Sequence, residues 1–311
     1  VPKDGSKLYL SDFKKDFEAY VGYTVSSKQS MGNILKKIVY TFLLVSFLVG
    51  CKSNPISGRN QFMLVPEDMA ISESRKAYIQ MLTPIKNEGK LNTDPVMSER
   101  VKNITSLLVA QAIAYRPESK NWNWSVQVID EPEVINAWCM AGGKMAIYSG
   151  LIEKLNATDD EIAQVMSHEI AHALLSHTRE RMSRALAMQL GLTAMTIAVS
   201  DERYGGIAVQ GTALAAIVAL DLPNSRTAER ESDRIGIEIA AKAGFDPQAA
   251  VTLWRKMADE SGQGDSRFDF LSTHPAPVKR MEVLEELTQS MMPLYKNESP
   301  KPTHPISVGN I

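Results

Sequence analysis

Ser167-His168-Glu169-Ile170-Ala171-His172 places two histidines four residues apart with a glutamate between them. On a helix that spacing stacks both imidazoles on one face, one turn apart. Imidazoles so placed can grip one zinc ion, and Glu169 lies close enough to take a proton from a water at the metal. The plain alternative is a surface helix that happens to carry two histidines, and the surroundings separate the two. Thr158-Asp159-Asp160-Glu161 just upstream is a capping box, so a helix starts there. Ile162, Val165, Met166, Ile170, Ala173 and Leu174 form an apolar stripe along it. The helix is therefore expected to bury one face, with His168 and His172 beside the stripe.

A catalytic zinc takes three protein ligands and keeps a fourth position open. The metzincin pattern would continue with glycine at position 175 and histidine at 178, but this chain has Leu175 and Thr178. His177 follows His172 by five residues and falls on a different face of a continued helix; it reads as structural, with metal ligation the lesser alternative. A second helix offers a carboxylate in Glu229-Arg230-Glu231-Ser232-Asp233. Glu229 and Asp233 share one face. Glu229 can bind zinc while Asp233 accepts a hydrogen bond from a ligand histidine and fixes its tautomer. Glu231 would point elsewhere, and Gly236 suggests a close helix contact. An acidic cluster alone is usually a solvated face; beside a zinc-binding helix it reads as a ligand set.

The period changes along the rest of the chain. Pro66-Glu67-Asp68 opens a helix expected to end near Met81, before Pro84. Asp94-Pro95 caps another that runs to about Tyr115. Trp122 to Ile129 alternates and reads as a strand, Val134 to Trp138 as a second, and Gly143 to Ser149 as a third. Later helices are expected from Ser225 to Ala243, from Asp246 to about Glu260, and from Pro275 to Met292. Two apolar stretches between Arg184 and Leu220 read as helices packed closely through small residues, or as a lid over the site. The fold class is therefore mainly α with a small antiparallel or mixed β-sheet (α+β). The domain spans 66–295, and the Pro- and Ser-containing segment 296–311 reads as a disordered tail.

Several motifs stand together in order: His168-Glu169-Ile170-Ala171-His172, then Glu229 with Asp233, then Thr273-His274-Pro275 with Arg280. Asn136-Ala137-Trp138, Gly142-Gly143-Lys144 and Ala243-Gly244-Phe245-Asp246-Pro247 accompany them. Over roughly residues 55–295 this resembles metallopeptidase family 48, a gluzincin family that includes the CAAX prenyl protease and periplasmic proteases. Ala141 departs from the proline that relatives often carry before the two glycines. The resemblance implies a zinc metalloendopeptidase with one Zn2+ per chain held by His168, His172 and Glu229. Asp233 would stand behind a ligand and Glu169 would be the general base. His274 and Arg280 would lie near the metal among the catalytic residues. His274 would either stabilise an oxyanion or occupy the open metal position in a resting state. Asn136, Gly142, Gly143 and Met145 would bind substrate; the sheet itself reads either as support for the core or, through the backbone from Gly143 to Ile147, as the edge that pairs with an extended peptide.

The N-terminal part bears on location. Met31 to Lys37 is a short basic region, and Ile38 to Gly50 is an apolar run typical of a signal-peptide core. It ends in Leu48-Val49-Gly50-Cys51, which resembles the lipobox of bacterial lipoproteins. Residues 31–50 would be the signal peptide, Cys51 the lipidation site, 51–65 an anchor and tether, and 1–30 an upstream extension absent from the mature protein. Lys52 after the cysteine points to the outer membrane, facing the periplasm. The two cysteines, Cys51 and Cys139, exclude a disulfide scaffold. The net charge of −2 and the lack of a basic run argue against nucleic acid as a partner. Expected partners are unfolded or misassembled envelope polypeptides, the membrane through Cys51, and the outer-membrane assembly machinery. A zinc-containing chaperone or assembly factor with little proteolysis is the rival function, although a pure binder has no need of Glu169.

Overall fold

The computed structural model describes residues 51–198, 226–261, 270, 274 and 278–309. Residues 1–50, with the expected extension and signal peptide, lie outside the described residues, as does most of the apolar segment after residue 198. No helix among the described residues is long and apolar enough to cross a membrane. The chain divides into two units. The smaller joins Val1–Cys51 to Ala187–Ala213, and its residues 187–198 are helical. The larger joins Lys52–Leu186 to Leu214–Ile311 and holds both helices of the expected metal site.

The order begins with two short strands, β1 (Cys51–Ser53) and β2 (Asn60–Phe62), then α1 (Glu67–Asn87) and α2 (Pro95–Tyr115). Three strands follow: β3 (Ser125–Ile129), β4 (Ala137–Met140) and β5 (Lys144–Tyr148). Next come α3 (Ser149–Glu153), α4 (Asp159–Leu174) and α5 (His177–Ala198). A helix over 226–243 is α6. The last two are α7 (Gln248–Ser261) and α8 (Val278–Tyr295). The α+β class read from the sequence is the observed one. Helix α1 runs past its expected end: its buried stripe of Ala70, Ser74, Tyr78 and Leu82 reaches up to Pro84, and the partly buried Ile85 just beyond packs on the same cluster. Packing of that stripe outweighs the one hydrogen bond proline cannot make.

The sheet is mixed, in the order β3-β5-β4. β3 runs parallel to β5, from Ser125 opposite Lys144 to Ile129 opposite Tyr148. β4 runs antiparallel to β5, from Ala137 opposite Ile147 to Met140 opposite Lys144. This corrects the expected peptide-pairing edge. Lys144 to Ile147 belong to the central strand, both of whose edges are taken, and Met145 is fully buried. Gly142 and Gly143 turn the chain from β4 into β5 at φ +85° and +79°, where a side chain would be strained. A Cβ on Gly143 would also stand 2.5 Å from the Trp124 ring. Both glycines are thus accounted for by the turn and its packing. Among the described residues, the strand with a free edge is β4.

Helix α4 packs against α2, β4 and α7, and α8 packs on α7. The expected one-sided burial is exceeded, since every residue from Glu161 to Leu174 is buried, both histidines included. The capping box forms as read, with Glu161 N–H donating to Thr158 Oγ1 and Thr158 N–H to Glu161. At the other end, Asn54 and Gln61 side-chain amides donate to the Leu175 carbonyl at 3.0 and 2.8 Å. A helix C-terminus needs such donors, and here the segment expected as a free tether supplies them. The C-terminal segment differs likewise from its expected disorder. Val126 N–H donates to the Ser307 carbonyl at 3.1 Å and Ser307 N–H to Trp124 at 3.2 Å. β3 is an outer strand with unpaired backbone groups, and this segment satisfies them.

Candidate metal centre

α4 supplies His168, Glu169 and His172, and α6 supplies Glu229 and Asp233. The two helices touch where α6 carries Gly236: a Cβ there would lie 2.9 Å from the His168 backbone. Only a residue without a side chain lets the helices approach so closely. His274 donates its N–H to the Phe270 carbonyl at 2.8 Å, and its ring stacks on Phe270 at 4.5 Å.

Four donor groups converge: His168, His172, Glu229 and His274, with one ligand atom of each within 4.8 Å of all the others. His172 Nε2 is 3.0 Å from His168 Nε2. Glu229 oxygens lie 3.4 Å from each of those nitrogens. His274 Nδ1 is 3.4 Å from His168 Nε2 and 3.0 Å from Glu229. A tetrahedral zinc with bonds of about 2.0–2.1 Å separates its ligand atoms by about 3.3–3.4 Å, so this donor set fits the ion. The three expected ligands come together, and His274 joins them as a fourth donor.

The carboxylates and imidazoles around the centre shift one another. Burial raises the Glu169 carboxyl, only partly offset by His274 and His168. Burial opposes the Glu229 charge as well, yet its contacts with His168, His172 and His274 hold it far below the usual carboxylate range. His168 is desolvated, but Asp233 and Glu229 outweigh that and lift it to about 9. His172 is pushed well down by burial.

Behind the donors stands a second ring of contacts. Asp233 Oδ1 is 3.0 Å from His168 Nδ1, as expected of the residue that orients a ligand. Arg280 grips Asp233 with two nitrogens at 2.7 and 2.6 Å and reaches Glu229 at 3.2 Å. Its guanidinium lies over Trp254 at 4.1 Å. Arg280 thus lies beside the donor set, as expected, and is buried in a clamp that holds two carboxylates in place. His177 is structural, as read, but the expected helical face is not the one it takes. The helix does not continue through it, because α4 ends at Leu174 and Ser176 adopts φ +58°. That break turns His177 back towards the site, where its Nδ1 stands 2.9 Å from His172 Nδ1 and its Nε2 3.0 Å from Glu231. Helical-wheel reasoning could not find this contact. The signal in the sequence was Leu175-Ser176 followed by a new helix.

Beside the donors opens a cavity of about 290 Å3. Strand β4 and the preceding Asn136 line it, together with Glu169, His172, Glu229 and His274. Thr178, Arg181 and Arg184 of α5 line it as well. Of the four expected substrate-binding residues, Asn136 faces this cavity. Glu169 Oε1 is buried and has no hydrogen-bond partner among the described residues, with His274 Nε2 the nearest base at 3.3 Å.

A family model described as Peptidase family M48 matches residues 95–288, which include every donor above. The chain belongs to peptidase family M48. As a member of that family it is a metalloendopeptidase, and the family implies a metal at the four-donor site. It is 30% identical to the mitochondrial metalloendopeptidase OMA1 of Saccharomyces cerevisiae, over 94% of this chain and 87% of that protein. It is 28% identical to the mitochondrial metalloendopeptidase OMA1 of Bos taurus, over 92% of this chain and 53% of that one. The beta-barrel assembly-enhancing protease of Escherichia coli is 27% identical over 71% of this chain and 44% of its own length. The chain therefore spans about half of the latter two M48 proteins.

Proposed function

We propose that this chain hydrolyses peptide bonds of misfolded or unassembled cell-envelope proteins, with zinc as its metal and Glu169 as general base. His168, His172 and Glu229 would hold the ion, which supplies a Lewis acid and a lowered water pKa. Glu169 would accept the proton of the attacking water and deliver it to the leaving amine. The observation that carries this is Glu169 itself: a buried carboxylate lining the cavity, raised by burial, whose Oε1 has no hydrogen-bond partner among the described residues. A protein that only bound other chains would gain nothing from it. An extended substrate would lie along β4, whose outer edge borders the cavity, and Asn136 would flank it. Of the two roles left for His274, the fourth donor position is the better supported, because its Nδ1 stands within 3.4 Å of His168 and Glu229. The lipobox at Cys51 supports a lipid-anchored protein of the bacterial envelope, in the outer membrane facing the periplasm, where misassembled outer-membrane proteins would be at hand. Glu169→Gln should keep zinc and lose casein cleavage by about 10²-fold or more. Full cleavage by that variant would reject the proposal in favour of another base.

A further inference from the structure

We infer that Arg59 is a positioning residue of the metal site, acting through Glu231 and His177 on the ligand His172. The inference rests on the metal-site reading above and extends it to the segment just after Cys51. His172 presents Nε2 to the donor cluster, so its Nδ1 carries the proton and donates to His177 Nδ1 at 2.9 Å. His177 Nδ1 is then an acceptor, which puts its own proton on Nε2, where it donates to Glu231 Oε2 at 3.0 Å. The other Glu231 oxygen accepts from Arg59 Nε at 2.9 Å. Arg59 is fixed in turn by Glu180, which accepts from both terminal nitrogens at 2.9 and 2.7 Å. Ser232 Oγ, 3.4 Å from His177 Nδ1, is the longer competing partner.

Each link sets the tautomer of the one before it. A ligand histidine whose second nitrogen is held this way keeps its ring plane and gains basicity towards the metal. Four elements contribute: the turn before β2, α6, α5 and α4. Glu231 is the hinge of the chain. Its side chain is 13% exposed, so without the Arg59 charge it can turn to water and leave His177 without its acceptor.

The test uses the full chain, zinc alone as probe, and competition with a chromogenic chelator, beside melting of the metal-free protein. Arg59→Ala and Glu231→Gln should each weaken zinc binding about tenfold, and Arg59→Lys should recover part of it. In the double variant Arg59→Ala should add nothing to Glu231→Gln, because both break one chain. A purely structural ion pair would lower the melting temperature and leave the zinc affinity of the folded protein unchanged. That result, or losses that multiply in the double variant, overturns the inference. If Arg59→Ala does not fold, Glu231→Gln keeps the side-chain volume, and wild-type zinc affinity in it overturns the inference equally. The metal-site reading is judged separately by the wild type, whose failure to bind zinc overturns both.

Discussion

Gly236→Ala tests whether the close approach of α4 and α6 builds the metal site. The added methyl would meet His168 Cα and N at 2.9 Å and the Ser167 carbonyl carbon at 3.1 Å. Comfortable carbon contacts need about 3.5 Å or more, so the helices must part by roughly 0.6 Å. These neighbours are backbone atoms and cannot swing aside. Alanine gains about 1 kcal/mol of helix propensity over glycine, while overpacking costs about 1–3 kcal/mol, so net destabilisation is about 0–2 kcal/mol. The effect on the metal is larger in proportion. Glu229 rides on α6 and the two histidines on α4, and metal bonds tolerate only about 0.2 Å. Zinc affinity should fall on the order of tenfold while the protein stays folded. Chelator competition and a thermal melt on the same sample read the two effects apart. Unchanged zinc affinity with an equal or higher melting temperature would refute the argument from helix contact.

Three further outcomes follow from particular contacts. Glu161 is held low: burial opposes its charge, but Lys256, Thr158 and Thr252 outweigh that. A depressed carboxyl stabilises the fold above its ordinary value of 4.5, and that contribution is lost as pH falls through the folded value. Glu161→Gln should therefore cost about 1–2 kcal/mol at pH 7 in urea unfolding, with the gap to wild type narrowing as pH falls below the ordinary carboxyl value of 4.5. A gap that did not change with pH would refute the assignment. His274→Ala should weaken zinc binding yet leave casein cleavage by the zinc-loaded protein within about tenfold, or raise it. A loss of 10²-fold or more would instead make His274 an oxyanion stabiliser. Removing residues 304–311 deletes the Ser307 pairing with β3 and the His304 bond to Ser106. The melt should show a loss of about 1–3 kcal/mol, and an unchanged melt would mean the segment adds no stability.

The local signals sufficed for much of this protein. Helical spacing put His168 and His172 on one face, Thr158 and Glu161 fixed the start of their helix, and Glu229 with Asp233 formed the one acidic pair suited to complete the site. The α+β class followed from where the apolar period switched from 3.6 to 2. Such features depend on neighbours a few residues away, which a sequence displays directly. What depended on distant partners could not be read. Gly143 to Ile147 looked like an edge strand until β3 and β4 were seen on either side of it. That Arg280 holds Asp233 and Glu229 together could be seen only once the three were brought into contact. The segments at 52–61 and 297–309 are polar and lack periodicity, so nothing local marks them as ordered. They are fixed because the end of α4 and the outer edge of β3 leave backbone groups that need partners. His177 shows the limit most clearly. A single residue, Ser176 at φ +58°, breaks the helix and turns a histidine from the wrong face into contact with His172. Spacing alone determined which residues could bind a metal; only the packing of distant segments decided which side chains hold those ligands in place.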